Sequence, residues 1–174
     1  METMAQLEND KILIVYFSWS GNAKALAGQI AEDTGGDLFE VKTATPYPAD
    51  YKECDKVAKQ EFESNSRPAI LGSISNMEQY NRIFLCYPNW WGTLPRAVFT
   101  FLEAYDFSGK IIYPLITHGG SRFQNSLDDI RKVIPGAVIS EGLDVNSFND
   151  NPLEGPNVSI PNIDVTSWLN RKLS

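Results

Sequence analysis

The sequence predicts an α/β domain in which a parallel sheet is buried between two layers of helices, a three-layer sandwich. Apolar runs and helical stripes alternate from residue 11 to the end of the 174-residue chain. The runs Ile12–Phe17 and Ile83–Tyr87 are continuously apolar, as strands covered on both faces must be. The length suits one core rather than two. Residues 11–174 are therefore read as a single domain and Met1–Asp10 as an N-terminal extension.

Taken in order, the first strand (12–17) leads into a helix on which Ala23, Leu26, Ala27, Ile30 and Ala31 fall at i, i+3, i+4, i+7 and i+8, one apolar face. Leu38–Val41 is a shorter second strand. Tyr47-Pro48 introduces a charged, weakly amphipathic surface helix over Asp50–Glu63, and Asn65–Tyr80 reads as a connection. Ile83–Tyr87 is the third strand. Beyond Trp90-Trp91-Gly92, the residues Leu94, Ala97, Val98, Phe101 and Leu102 form a second core stripe. Ile111–Ile116 is the fourth strand, but Pro114 within it cannot donate a ladder hydrogen bond, so a bulge or early termination is expected there. Phe123, Leu127, Ile130 and Ile134 mark a looser helix. Ala137–Ser140, continuing weakly through Leu143–Val145, is the fifth strand. Asn146–Asn162 has the composition of a loop, and Val165, Trp168, Leu169 and Leu173 end the chain as a short helix.

Composition narrows the function. With 43% hydrophobic and 21% charged residues, the chain is of ordinary globular make-up. Twenty-two acidic residues against 15 basic ones give a net charge of −7, which repels polyphosphate backbones and anionic membranes and argues against nucleic acid as a partner. No stretch reaches the roughly 20 apolar residues that span a bilayer, and Met1–Asp10 lacks the basic start and apolar run of a signal peptide, so a cytoplasmic protein without membrane attachment is expected. Cys54 and Cys86 have no CxxC spacing, which points to neither a disulfide framework nor a metal site; Cys86 reads as a core residue.

In a sheet joined by right-handed crossovers, ligands bind beyond the carboxyl ends of the strands. Three loops are placed there. Ser18-Trp19-Ser20-Gly21-Asn22-Ala23 sits between a buried strand and a helix, where unpaired N–H groups accept an anion; Ser18, Ser20 and Asn22 add donors and Gly21 allows close approach. The same residues also fit a tight turn with Ser20 as N-cap and no ligand. Neither GxxxxGK[ST] nor GxGxxG occurs, which shifts the weight toward a mononucleotide gripped by neutral donors. Pro88-Asn89-Trp90-Trp91-Gly92 offers two adjacent indoles. Neighbouring residues point apart, so one ring can stack on a planar ligand while the other packs on protein, the alternative being plain core packing. Thr117-His118-Gly119-Gly120-Ser121 carries the only histidine, with no carboxylate or nucleophile beside it in sequence, so contact with the edge of a ring is favoured over proton transfer.

Together these three loops, with Pro46-Tyr47-Pro48-Ala49-Asp50-Tyr51 and Thr100-Phe101-Leu102-Glu103, resemble the flavodoxin family over about Lys11–Leu143 and again over the final helix. The resemblance implies a five-stranded parallel sheet in the order 2-1-3-4-5 and one bound FMN. It implies that Ser18, Ser20, Gly21, Asn22 and Ala23 hold the phosphate, with Trp19 adding backbone or ribityl contacts. By the same resemblance Pro88, Asn89, Trp90, Trp91 and Gly92 wrap one side of the isoalloxazine, and Thr117, His118, Gly119 and Gly120 meet its polar edge. Ala23 stands where the family usually has threonine, and Asn89 where an apolar residue is common. The missing hydroxyl weakens the phosphate site by about 0.5–1.5 kcal/mol. The implied role is a low-potential electron carrier, monomeric or weakly dimeric, meeting redox partner proteins with basic surfaces. The alternatives are an FMN-dependent NAD(P)H oxidoreductase acting on quinones or nitro compounds, and a ligand-free interaction module.

Overall fold

The computed structural model describes residues 11–146 and 162–173; the N-terminal extension and nearly all of the loop read over Asn146–Asn162 lie outside the described residues. The elements run β1 (Lys11–Tyr16), α1 (Asn22–Thr34), β2 (Asp37–Glu40), β3 (Lys42–Thr43), α2 (Tyr51–Glu63), β4 (Ile70–Leu71), a 3-10 turn (Met77–Gln79), β5 (Tyr80–Pro88), α3 (Arg96–Glu103), β6 (Ile111–His118), α4 (Ser126–Val133), β7 (Val138–Ile139), β8 (Leu143–Asn146) and α5 (Asn162–Leu173). All pairings in the main sheet are parallel, in the order β2-β1-β5-β6-β7, and β8 pairs β6 beyond the end of β7. Because β7 and β8 share the outer position, the sheet has the expected order 2-1-3-4-5.

The continuously apolar strands feed two cores, since successive side chains leave opposite faces of the sheet. Leu13, Val15, Leu85, Tyr87 and Ile112 pack with Val98 and Phe101 of α3 and Ile130 of α4. Ile14, Phe84, Cys86 and Leu115 pack with Leu26 and Ile30 of α1 and Val165 and Trp168 of α5. Helix α1 stops at Gly35, whose φ of 71° closes the last turn through a bond to the Ala31 carbonyl. Helix α2 starts at Asp50, whose side chain accepts from the Glu53 N–H. Among the described residues no helix is long and apolar enough to cross a membrane.

Two readings of the sequence are corrected. Asn65–Tyr80 is more than a connection: Ile70–Leu71 pairs antiparallel with Lys42–Thr43, a ribbon too short to leave a period in the sequence. Pro114 neither bulges nor ends its strand, for β5 and β6 stay in unbroken register from Arg82–Ile111 to Pro88–Thr117. The irregularity falls on the neighbour instead. In a parallel strand alternate residues bond to opposite sides, and Ile112 bonds outward, accepting from the Ser140 N–H. Pro114, two residues on, directs its missing donor the same way, into the break between β7 and β8. There the outer strand holds three residues between Ile139 and Leu143 where β6 holds two between Ile112 and Leu115. Gly142 fills the break: a Cβ on it would lie 2.6 Å from the Pro114 carbonyl oxygen and 2.7 Å from Phe123 Cζ.

Gly142→Ala is accordingly expected to destabilise the fold by about 1–3 kcal/mol, the usual cost of overpacking. Urea unfolding should show a lower midpoint with an unchanged slope; a wild-type midpoint would mean that the outer strand yields freely.

Candidate functional site

The parallel register brings the ends of β1, β5 and β6 to one edge, and the ladder continues past the strands: the Phe17 N–H donates to the Cys86 carbonyl at 3.0 Å and the Asn89 N–H to the Thr117 carbonyl at 2.9 Å. The three loops singled out from the sequence therefore leave the sheet side by side.

In the first loop Gly21 is the N-cap of α1, with φ 101°, a backbone geometry that a side chain resists. Ser20 is thus not the cap. Its Oγ accepts from the Asn22 N–H at 3.4 Å, and Ser18 Oγ accepts from the Gly21 N–H at 3.0 Å. A hydroxyl that accepts keeps its own hydrogen for a ligand, as Ser18 does. The first turn of α1 carries no acidic residue, so its N–H groups and the positive pole of the helix are uncompensated by side-chain charge. Asn22 and Ala23 are buried, and Trp19 donates its indole N–H to the Pro48 carbonyl at 2.9 Å, drawing the start of α2 over the loop.

The second loop is a tight turn in which Trp90 and Thr93 bond to each other across Trp91 and Gly92, both at positive φ, 56° and 83°. For a tryptophan this conformation is costly. The two indoles diverge. Trp90 is half-buried, edge-on to Phe17 at 5.1 Å and Tyr47 at 5.0 Å, whereas Trp91 is 42% exposed.

In the third loop His118 is buried and held at both ring nitrogens. Nδ1 accepts from the Gly120 N–H at 2.9 Å, so Nε2 bears the hydrogen donated to Asp144 Oδ1 at 3.1 Å. The carboxylate that the sequence does not show beside His118 comes from β8. Gly119 and Gly120 are exposed, and Thr117 is buried with its Oγ1 lacking a hydrogen-bond partner among the described residues.

Trp19, Asn89, Trp90, Trp91 and Gly92 line an open cleft of about 320 Å³, together with Gln124. Its opposite wall is α2, through Tyr51, Cys54, Asp55 and Ala58. Read from the sequence as a plain surface helix, α2 carried one signal of this role, the small buried pair Cys54 and Ala58 at i, i+4 on an otherwise charged segment. Ser18, Ser20, Gly21, Asn22 and Ala23 do not line the cleft, and neither do Pro88 and Thr117–Gly120. Aromatic walls beside a helix N-terminus with hydroxyl donors suit a planar group joined to an anion.

Behind the Trp90 wall, the Tyr47 hydroxyl donates to Glu61 Oε2 at 2.8 Å. Burial pushes the Glu61 carboxyl up, against the opposing pull of Tyr47 and Arg96. Burial, with Glu61 and Asp55 close by, pushes the Cys54 thiol up to about 12, which keeps it protonated and unreactive. Since Glu61 holds its proton more tightly folded than unfolded, its contribution to stability is complete below its unfolded value and lost as pH rises through the folded one. Glu61→Gln, which can still accept from Tyr47, should therefore raise the urea midpoint at pH 8, with the gain shrinking toward pH 4. A gain that grows on acidification would contradict the burial argument.

Comparison with known proteins agrees with this architecture. The family model described as Flavodoxin matches residues 11–154. The crystal structure of a candidate flavoprotein from Bacteroides eggerthii is 30% identical, covering 94% of this chain and 98% of its own, with a TM-score of 0.76. A flavoprotein from Lactobacillus acidophilus, solved in complex with FMN, is 24% identical over 78% of this chain and 92% of its own, with a TM-score of 0.65. Oxidised flavodoxin 2 from Bacillus cereus shares the fold at 18% identity and a TM-score of 0.53, covering 94% and 97%. No curated protein sequence matches significantly. On the match over residues 11–154 and the near full-length likeness to the Bacteroides structure, the chain belongs to the flavodoxin family.

Proposed function

We propose that this protein binds one FMN, phosphate at the 18–23 loop and ring in the aromatic cleft, and carries electrons at low potential between redox proteins. The observation that carries the reading is the juxtaposition of a helix N-terminus free of first-turn acid with a cleft walled by Trp19, Trp90 and Trp91. Bound FMN supplies the one- and two-electron chemistry, and the protein supplies position and electrostatics. Ser18, Ser20 and Asn22 bind the phosphate, with Gly21 admitting it closely and the N–H groups of Ala23 and Lys24 facing it, ahead of Ala25, whose N–H closes the first helical turn on the Gly21 carbonyl. Trp91, the more exposed indole, stacks on the ring while Trp90 holds the wall. The orphaned Thr117 hydroxyl, buried at the carboxyl edge, donates to the cofactor, the Gly119 amide meets the polar edge of the ring, and Gly120, its own amide held by His118, shapes the loop beside that edge. Asp55 in the cleft and Glu61 behind it disfavour added negative charge and keep the potential low.

The proposed partners are redox proteins with basic surfaces. Of the seven excess negative charges, five come from residues 1–10 and 147–161, which hold no basic residue; the rest of the chain is nearly balanced. Attraction to a basic partner then depends on these two stretches and is screened by salt beyond a Debye length of about 8 Å at physiological ionic strength.

Titration of the purified protein by calorimetry and visible absorption should show tight binding of FMN and far weaker binding of riboflavin, because the donors of the first loop act on the phosphate. Trp91→Ala should alter the bound spectrum more than its folding stability, and Trp90→Ala the reverse. Equal affinity for the two flavins would overturn the phosphate site.

Stopped-flow reduction separates carrier from enzyme. NADPH or NADH alone should reduce the FMN-loaded protein slowly, and a reductase with a basic face should accelerate reduction in a salt-sensitive way. Many rapid turnovers of a quinone or nitro compound with the nicotinamide alone, insensitive to salt and reductase, would establish the oxidoreductase reading instead.

A further inference from the structure

We infer that Asn89 is a positioning residue which joins the two ring-binding loops into one strained unit, so that cleft geometry and cofactor affinity depend on its amide. The inference rests on the proposed FMN site but concerns a cleft-lining residue whose amide is committed to protein groups of both loops. Asn89 Oδ1 accepts from the Gly92 N–H at 2.9 Å, closing the turn that holds Trp91 at φ 56°. Asn89 Nδ2 donates across to the other loop, to the Arg122 carbonyl at 2.9 Å and Gln124 Oε1 at 3.1 Å. The backbone N–H of the same residue binds the Thr117 carbonyl at 2.9 Å, at the root of that loop.

Both partners across the gap are themselves strained, Arg122 at φ 58° and Gln124 at φ 44°. Of the four non-glycine residues at positive φ among the described residues, three therefore lie in the two loops that one amide joins. Such conformations persist only where surrounding bonds over-determine them. The return bond from the Asn125 N–H to the Gly92 carbonyl at 2.9 Å, and that from Thr93 Oγ1 to Asp129 Oδ2 at 2.5 Å, carry the coupling on into α4. An apolar side chain at position 89 could pack beside a ring but could make none of the cross-loop bonds. The amide thus trades a ring contact for control of where Trp91 and Gln124 stand.

The test compares wild type, Asn89→Ala and Asn89→Asp by FMN titration and by amide hydrogen exchange of the unliganded protein, with urea midpoints to establish that each variant is folded. Asn89→Asp keeps the acceptor for Gly92 but sets a carboxylate oxygen against the two cross-loop acceptors. It should leave the Gly92 amide protected, while Gly92 in Asn89→Ala exchanges faster. In both variants the Asn125 amide of the opposite loop should lose protection and FMN should bind about tenfold more weakly, the scale of one or two lost hydrogen bonds. Wild-type FMN affinity in Asn89→Asp, or weakened binding in Asn89→Ala with Asn125 still protected, would overturn the inference. Failure of the wild-type protein to bind FMN would instead overturn the cofactor reading, while the exchange of Gly92 and Asn125 would still report whether the loops are coupled.

Discussion

Tyr16, Cys86, Leu115 and Leu143 stand side by side across four parallel strands, and what lies beyond this row depends on it. Parallel pairing places every strand's carboxyl end at one edge, and right-handed crossovers return the chain to the opposite edge before each new strand. Loops whose starts lie between 29 and 99 residues apart in sequence are thereby fixed as neighbours before any of their own bonds form. The row is rigid because both its faces are buried, the even residues of β1 against α1 and α5 and the odd ones against α3 and α4.

On this base the site divides its work between backbone and side chain. At the first loop the backbone dominates: a left-handed glycine turns the chain into α1 and exposes the N-terminal amides, while the serine hydroxyls brace the turn. At the second and third loops the side chains dominate. The Asn89 amide and the His118 imidazole bind backbone groups that would otherwise be free to choose other turns, and the Asp144 carboxylate holds the imidazole in place. His118 acts here through bonds to Gly120 and Asp144, so its evident part is to shape the loop by holding the Gly120 amide inward.

The cleft is completed by an element from outside these loops. Helix α2 is packed through Cys54 and Ala58, and the Trp19–Pro48 bond and the Tyr47–Glu61 bond fasten its start and its later turns to the sheet side of the site. Its exposed face remains charged and ordinary, which is why one helix can look like a solvated surface element in one dimension and a cleft wall in three.

Short-range chemistry was legible in the residues themselves. The apolar runs of β1 and β5, the period of α1 and α3, and the glycine and hydroxyl loops at strand ends follow from local pattern, because burial on both faces of a sheet and one face of a helix must be written into each segment. Pro114 as a breaker and Asn65–Tyr80 as a mere connection fail for a shared reason, that each depends on what a distant segment supplies, whereas the Ser20 cap of the ligand-free alternative fails locally. Gly21 could take the cap position because the loop braces it, and Pro114 is accommodated because the outer strand breaks opposite its missing donor. Asp144 beside His118, α2 across from Trp90, and Asn89 bridging to Gln124 are likewise long-range pairings, set by strand register and helix packing. Residue order alone therefore determined the family of elements and the loops that matter, whereas only tertiary structure decided which of their side chains face the cleft and which hold other residues in place.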